Sequence, residues 1–303
     1  MTGRSLDGSA VSSIVSLLPS ATEWVFALGL QHRLAGVTFE CDEPAGARTD
    51  HAVVVTGLET AGLTPGEIDA LVRSTLAAGR PMYRLDSVAL QRISPDVVLT
   101  QDLCGVCALP ASEVVQAMDA VGCPGAVVTL DPHTLAEVLA GARAVADAAG
   151  AGAAGVALEA ALRRRLDVVA DRVRHRPAPR VLVLEWSDPP FVAGHWLPDL
   201  VTAAGGVPVL AVPAGRSVTT TWAEVAAAEA DVVVVAPCGY GLDDAALQAR
   251  DVLDRLPAGA QVWAIDAGGL VTRPGPRVVD GVEALAAALH AGAATTGATA
   301  RIR

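Results

Sequence analysis

The chain of 303 residues contains no lysine: all 22 of its basic residues are arginine. That absence excludes a Schiff-base lysine and the phosphate-gripping lysine of a P-loop. Against 33 acidic residues the arginines leave a net charge of −11. A nucleic-acid partner needs a basic face, so none is expected. Aromatic residues make up only 3% and charged residues 18%, whereas hydrophobic residues reach 52%, the balance of a globular chain and not a disordered one. No stretch approaches the roughly 20 unbroken apolar residues of a membrane span. The opening MTGRSLDGSAVSS lacks an apolar export segment, and the run Ile14 to Leu18 is short and broken by Pro19. The expectation is no membrane insertion and a cytoplasmic location. In that compartment five cysteines read as free thiols, a metal site or a redox site, not as a disulfide framework. No GxSxG nucleophile turn occurs, and no GxGxxG follows a strand-like run.

What is present is an alternation of short apolar runs with amphipathic stretches. Strands are predicted at 14–18, 34–37, 53–55, 97–99 and 126–129, and helices at 20–30, 64–78, 85–93 and 112–121. Ser20 to Glu23 reads as an S-x-x-E capping box opening the first helix, and Pro65 stands in the first turn of the second. From Thr134 the texture changes. Leu135, Val138, Leu139, Ala142 and Val145, then Leu158, Leu162, Leu166 and Val169, keep helical spacing. The reading is a long helix broken near Gly152 or Gly155 and stopped at Arg176-Pro177-Ala178-Pro179. Further strands are predicted at 181–185, 207–212, 232–236 and 262–265, and helices at 197–204, 222–228, 244–256 and 282–289. The tail from Ala291 is predicted to fray. This order gives an α/β fold: an N-terminal α/β lobe over 1–133, a linking long helix over 134–176 and a C-terminal α/β lobe over 177–303.

Parallel α/β sheets bind ligands beyond the carboxyl ends of their strands. Glu40, Cys41 and Asp42 fall there in the first lobe, as do Gln101, Asp102, Cys104 and Cys107. In the second lobe the matching places hold Glu185, Trp186 and Asp188, then Cys238, Gly239 and Tyr240, then Asp266. Cys104 and Cys107, with Cys41 and Cys238, are a candidate tetrahedral thiolate set for zinc or for an iron–sulfur cluster. The alternative is that such small residues fill gaps beneath loops. Cys123 precedes a strand and reads as packing. A thioredoxin-like role would need the first thiol at a helix N-terminus, and the next predicted helix starts several residues later. Trp186, Trp196 and Trp222 are either flat walls for a flat ligand or core residues, while Trp24 and Trp263 read as core. His195 is a candidate axial metal ligand or acid/base group, weighed against a plain loop histidine.

The segments IVSLLPSATE, GVTFECDEP, the long helical stretch and EWSDPPFVAGHW resemble the periplasmic-binding-protein family of the vitamin B12 and iron-siderophore type, and most nearly its cobalamin-binding branch. Within it the chain is similar to a subgroup bearing E-C-D-x-P (Glu40 to Pro44), TQDLCxVCA (Thr100 to Ala108), EWxxPPFxxGHW (Glu185 to Trp196), PCG (Pro237 to Gly239) and RPGPRxVDG (Arg273 to Gly281). The resemblance implies two Rossmann-like lobes joined by one long helix, with a ligand cleft between the lobes. It implies cobalamin or another corrinoid as the small-molecule ligand. Importer members of the family dock on an ABC permease through acidic residues, and Glu23 lies in the matching first-helix motif. Without an export signal, permease docking is not expected here.

Two functions follow. The first is an intracellular binding protein of the cobalamin type, with Tyr83, Glu185, Trp186, His195, Trp196, Trp222 and Tyr240 against the ligand. The second is a metalloprotein or enzyme. In it Cys41, Cys104, Cys107 and Cys238 hold an iron–sulfur cluster or zinc, and an open metal position acts as a Lewis acid while Glu40, Asp42 or His195 moves protons.

Overall fold

A computed structural model describes residues 11–102, 109–290 and 297–303. They fall into two compact units. The first comprises residues up to Ala61, Leu71–Asp131 and Ala140–Ala160; the second comprises Gly62–Ala70, Pro132–Leu139 and the residues from Ala161 on.

The sheet of the first unit contains β1 (Ile14–Ser16), β2 (Leu34–Thr38), β3 (Ala52–Gly57), β4 (Tyr83–Leu85), β5 (Val97–Thr100) and β6 (Ala126–Thr129), in the order β4-β3-β2-β1-β5-β6. Pairing is parallel throughout except between β3 and β4. The central strands read IVS and VVLT and are buried at every position, as expected of strands covered on both faces. The helices of this unit are α1 (Pro19–Ala27), α3 (Ser87–Ile93) and α4 (Ala111–Ala120), while α2 (Pro65–Ala77) and α5 (Leu135–Ala148) each begin among residues of the second unit and end among those of the first. Val15, Val54, Leu90, Val98, Val114 and Met118 form one core, and Cys123 packs among them. The packing role read for Cys123 therefore stands.

The expected capping box at Ser20 does not form. Leu18 precedes the helix without a side-chain cap, Pro19 occupies its first turn and Ser20 is buried within it. Proline's fixed φ suits that position, so the helix start is set by the ring and not by a hydroxyl. True capping boxes stand elsewhere. Thr64 and Glu67 bond reciprocally at the start of α2, and Thr134 and Glu137 do so at the start of α5. In each the glutamate carboxyl lies below its ordinary range, chiefly because it accepts from backbone N–H groups.

The long helical stretch is two helices, α5 and α6 (Gly152–Val173). The break falls at 149–151, where Gly150 has φ +69° and the Ala151 amide bonds back to Ala146 O at 2.7 Å. Glycine reaches that left-handed conformation without steric cost. Gly155, a candidate break, stays inside α6. A Cβ there would stand 2.6 Å from Ala146 Cβ and 2.8 Å from Ala142 O, so its missing side chain lets α6 pack tightly on α5.

The second unit's sheet contains β7 (Arg180–Ser187), β8 (Pro190–Val192), β9 (Val207–Pro208), β10 (Val218–Thr219), β11 (Val232–Val235), β12 (Gln261–Ile265) and β13 (Thr299–Arg301). Its order is β10-β8-β7-β11-β12-β13, with β9 also on β7. β7, β9, β11 and β12 run parallel, whereas β8, β10 and β13 pair antiparallel. Its helices are α7 (Leu197–Ala203), α8 (Trp222–Ala227), α9 (Leu242–Asp251), α10 (Ala267–Leu270) and α11 (Val278–His290). β11 is four valines, all buried. Leu182, Leu184, Val233, Val235, Ala249 and Val262 pack into one core. The strand expected at 207–212 stops at Pro208, because Leu210 within that run adopts a positive φ of 47°. Residues 299–301 of the tail do not fray: they pair with β12, Thr299 beside Ile265. No helix among the described residues is long and apolar enough to cross a membrane.

Candidate functional site

β7 and β11 lie side by side, with Leu184 opposite Val235, so the residues just beyond them share one end of the second unit's sheet. The Cys238 amide donates to Glu185 O at 3.0 Å, and the Gly268 amide to Tyr240 O at 2.8 Å, which ties the loop after β11 to the end of β7 on one side and to α10, just after β12, on the other. Trp186 and Tyr240 face each other, ring centroids 5.8 Å apart and tilted by 51°. The Trp186 indole N–H donates to Asp188 O at 2.9 Å, which fixes the ring. Below them the Ser187 hydroxyl donates to Gln248 Oε1 at 2.7 Å, a buried bond that ties β7 to α9.

The Glu185 carboxyl reaches across to a separate segment. Its Oε1 accepts from the Gly194 amide at 2.8 Å and its Oε2 from the Ser217 hydroxyl at 2.6 Å. The two segments it joins touch backbone to backbone: a Cβ on Gly194 would lie 2.3 Å from Ser217 N and 2.7 Å from Gly215 O. Next to Gly194, His195 takes φ +48°, donates its amide to Gly215 O at 2.5 Å and accepts from the Ala214 amide at 3.0 Å. Burial pushes the Glu185 carboxyl up to about 7, against the lowering effect of its two donors.

The half-buried imidazole of His195 lies 6.0 Å from that of His133 and 5.7 Å from the Trp196 ring, centroid to centroid. Its Nε2 is shielded from solvent and makes no hydrogen bond among the described residues. Burial lowers its pKa below the ordinary histidine value, and the neighbouring His133 and Arg216 lower it further. The ring is therefore neutral at pH 7. Tyr240 is likewise held in its neutral form, by burial first and by the charge of Asp244 second.

Of the residues singled out from sequence, Glu185, Trp186, Cys238 and Tyr240 come together at this sheet end, and Glu185 reaches the turn that carries His195. Trp196 is a core residue, 3% exposed, its indole N–H bonded to Val271 O at 2.8 Å. Trp222 packs on the second unit's core beneath the guanidinium of Arg255, 5.3 Å above its ring. Tyr83 packs against the first unit's core. Glu40, Cys41 and Asp42 also belong to the first unit. Cys41 is fully buried and contacts the Thr22 hydroxyl at 3.0 Å, which in turn donates to Ser16 Oγ at 2.9 Å. Cys104 and Cys107 lie outside the described residues. Among the described residues no group of three or more His, Cys, Asp or Glu is arranged to hold a metal ion. Glu23 is 4% exposed, so its carboxyl is not a surface charge. Ser217, Arg216 and His133 were not anticipated. No motif marks them, and they become neighbours of Glu185 or His195 only through the fold.

Among solved structures, the chain is similar to the periplasmic vitamin B12 binding protein of Vibrio cholerae, with TM-score 0.68 and 20% identity over 92% of this chain and 97% of that one. A periplasmic heme-binding protein from Roseiflexus sp. RS-1, in apo form, aligns with TM-score 0.65 and 25% identity over 92% and 97% of the two chains. A periplasmic heme-binding protein from Pseudomonas aeruginosa aligns with TM-score 0.67 and 22% identity over 97% and 98%. The class defined by this likeness is the two-lobed α/β fold of periplasmic substrate-binding proteins. No protein-family model and no curated protein matches the chain.

Proposed function

We propose that this chain is a binding protein for a small ligand, and that the ligand is a corrinoid such as cobalamin. The observation that carries the reading is the neutral, partly apolar character of the second unit's sheet end. His195 is neutral and carries a shielded Nε2 without a partner among the described residues, with the Arg216 cation near it, and its turn is held by the raised carboxyl of Glu185, which stands at the sheet end where Trp186 and Tyr240 pack together. A corrinoid presents a broad apolar macrocycle with a rim of neutral amides. Aromatic side chains suit the first, and neutral donors and acceptors suit the second. A buried polar atom without a partner is uncommon and costs about 1–3 kcal/mol, so a ligand amide bonding His195 Nε2 gains what the free protein lacks. The fold likeness to a vitamin B12 binding protein supports the same class of ligand, and the heme-binding neighbours name its nearest competitor.

The test is calorimetric titration with hydroxocobalamin and, in parallel, with hemin. Cobalamin should bind, and His195→Ala should weaken it by about three- to tenfold, the worth of one neutral hydrogen bond. Hemin bound in preference to cobalamin, or no heat with either, overturns the reading.

A further inference from the structure

We propose that Arg216 is a specificity-determining residue of the same site: its guanidinium pairs with the phosphate of the corrinoid's nucleotide tail, so that corrinoids carrying that phosphate bind in preference to those without it. This rests on the corrinoid reading and adds a contact for the anionic group of the ligand's tail.

Arg216 belongs to the segment that is clasped to the His195 turn, both within the second unit. Gly215 O accepts from the His195 amide, the Ala214 amide donates to His195 O at 3.0 Å, and a Cβ on Gly194 would stand 2.6 Å from Arg216 C. The backbone of Arg216 is therefore fixed against the residue that precedes the imidazole. Its side chain is exposed and, among the described residues, makes no hydrogen bond and no ion pair. Its charge still reaches the ring, since Arg216 and His133 both oppose proton uptake by His195. A shielded Nε2 without a partner and an unpaired guanidinium thus belong to one turn and the segment clasped to it.

Carboxylates are plentiful in this chain, 33 against 22 arginines, and other arginines of the unit use them. Arg165 holds Asp280 and Glu283, and Arg180 lies 3.7 Å from Glu229. The acids around the His195 turn are taken by other donors. Glu185 accepts from Gly194 and Ser217, Glu137 from the His133 and Thr134 amides, and Asp199 from the Leu135 amide. The neutral amides of a corrinoid rim need no cation, so Arg216 is the feature of the site that they leave unused. A phosphate does need one. The nucleotide tail of cobalamin carries a phosphodiester, and the planar guanidinium fork matches phosphate oxygens two at a time. The side chain is exposed, so pairing costs little desolvation, and for the same reason salt screens it.

The experiment is calorimetric titration of the full chain with dicyanocobinamide and with dicyanocobinamide phosphate, two corrinoids that differ by one phosphate group. The wild type should bind the phosphate form about three- to tenfold more tightly, the worth of one charge-assisted contact at an exposed side chain. That ratio should shrink as salt rises from about 50 to about 500 mM. Arg216→Gln should bring the two affinities together. Arg216→Lys keeps the charge but loses the fork, and its ratio should fall between the two. General damage to the turn weakens both ligands alike and leaves the ratio where it was, so the ratio reports the pairing and not the fold. A wild-type ratio of one, or a ratio that Arg216→Gln leaves unchanged, overturns the proposal while the corrinoid reading stands. No heat with either corrinoid overturns both.

Discussion

Arg165 grips Glu283 with two parallel hydrogen bonds, from Nε to Oε1 at 2.9 Å and from Nη2 to Oε2 at 2.8 Å, and the same Nη2 reaches Asp280. This fork fastens α6 to α11 within the second unit. Lysine keeps the charge but has no fork, so Arg165→Lys tests the geometry alone. The three side chains are about two-fifths exposed, and solvent screens the pair. The expected loss is about 0.5–1 kcal/mol in urea unfolding, shrinking as salt is added. An unchanged midpoint at low salt means the fork contributes nothing.

Gly194→Ala should be far more damaging. The added methyl would lie 2.3 Å from Ser217 N and 2.6 Å from Arg216 C, backbone atoms that cannot swing aside. Relief requires separating the two segments, with an expected cost of about 2 kcal/mol or more. Thermal unfolding monitored by circular dichroism measures it. A loss below about 0.5 kcal/mol would falsify the close approach.

The pH dependence of global stability should change with Glu185. Its folded pKa, about 7, is above the ordinary value of 4.5. The stability it contributes is therefore full below about 4.5 and is lost as pH rises through about 7. Between those limits the wild type should lose up to about 3 kcal/mol that Glu185→Gln retains. Denaturant titrations of both proteins at pH 5 and pH 8 give the comparison, and parallel curves refute the buried-acid account.

Two buried tryptophans should respond differently to phenylalanine. Trp196 donates to Val271 O, whereas the Trp263 indole N–H has no partner among the described residues. Trp196→Phe strands a carbonyl and leaves a gap, at an expected cost of about 2–3 kcal/mol. Trp263→Phe leaves a gap too but removes an uncompensated donor, so its cost should be smaller by about 1 kcal/mol. Equal losses would show that the Trp263 N–H is satisfied after all.

Much of the architecture was legible because buried parallel strands write themselves as short unbroken apolar runs. Val97 to Leu99 and Val232 to Val235 are of that kind. Elements that depend on pairing across long sequence distances were not legible. β10 is only Val218 and Thr219, set against Val192 and Phe191, and β13 is Thr-Ala-Arg, which has no apolar signature and exists because Trp263 to Ile265 offer it an edge. The start of α1 was misread because Ser20 has the composition of a cap but follows a proline that already fills the first turn. At the candidate site, residues following strands were found by topology alone: Glu185, Trp186, Cys238 and Tyr240. Ser217 and Arg216 were not, since they sit in a loop between short strands. Trp196 was placed at the site by its chemistry, although its neighbours make it core. Composition tells which side chains suit a ligand, while their direction is a property of packing.

The pairing of β13 with β12 has a consequence for how the molecule meets others of its kind. Thr299 to Arg301 cap the row of amides and carbonyls along Trp263 to Ile265. Clipping those last residues would convert a finished margin into a bare template, flat, apolar and ready to recruit any extended segment. A shortened chain should thus lose colloidal behaviour before it loses its fold, scattering light in proportion to concentration while its circular dichroism stays nearly intact.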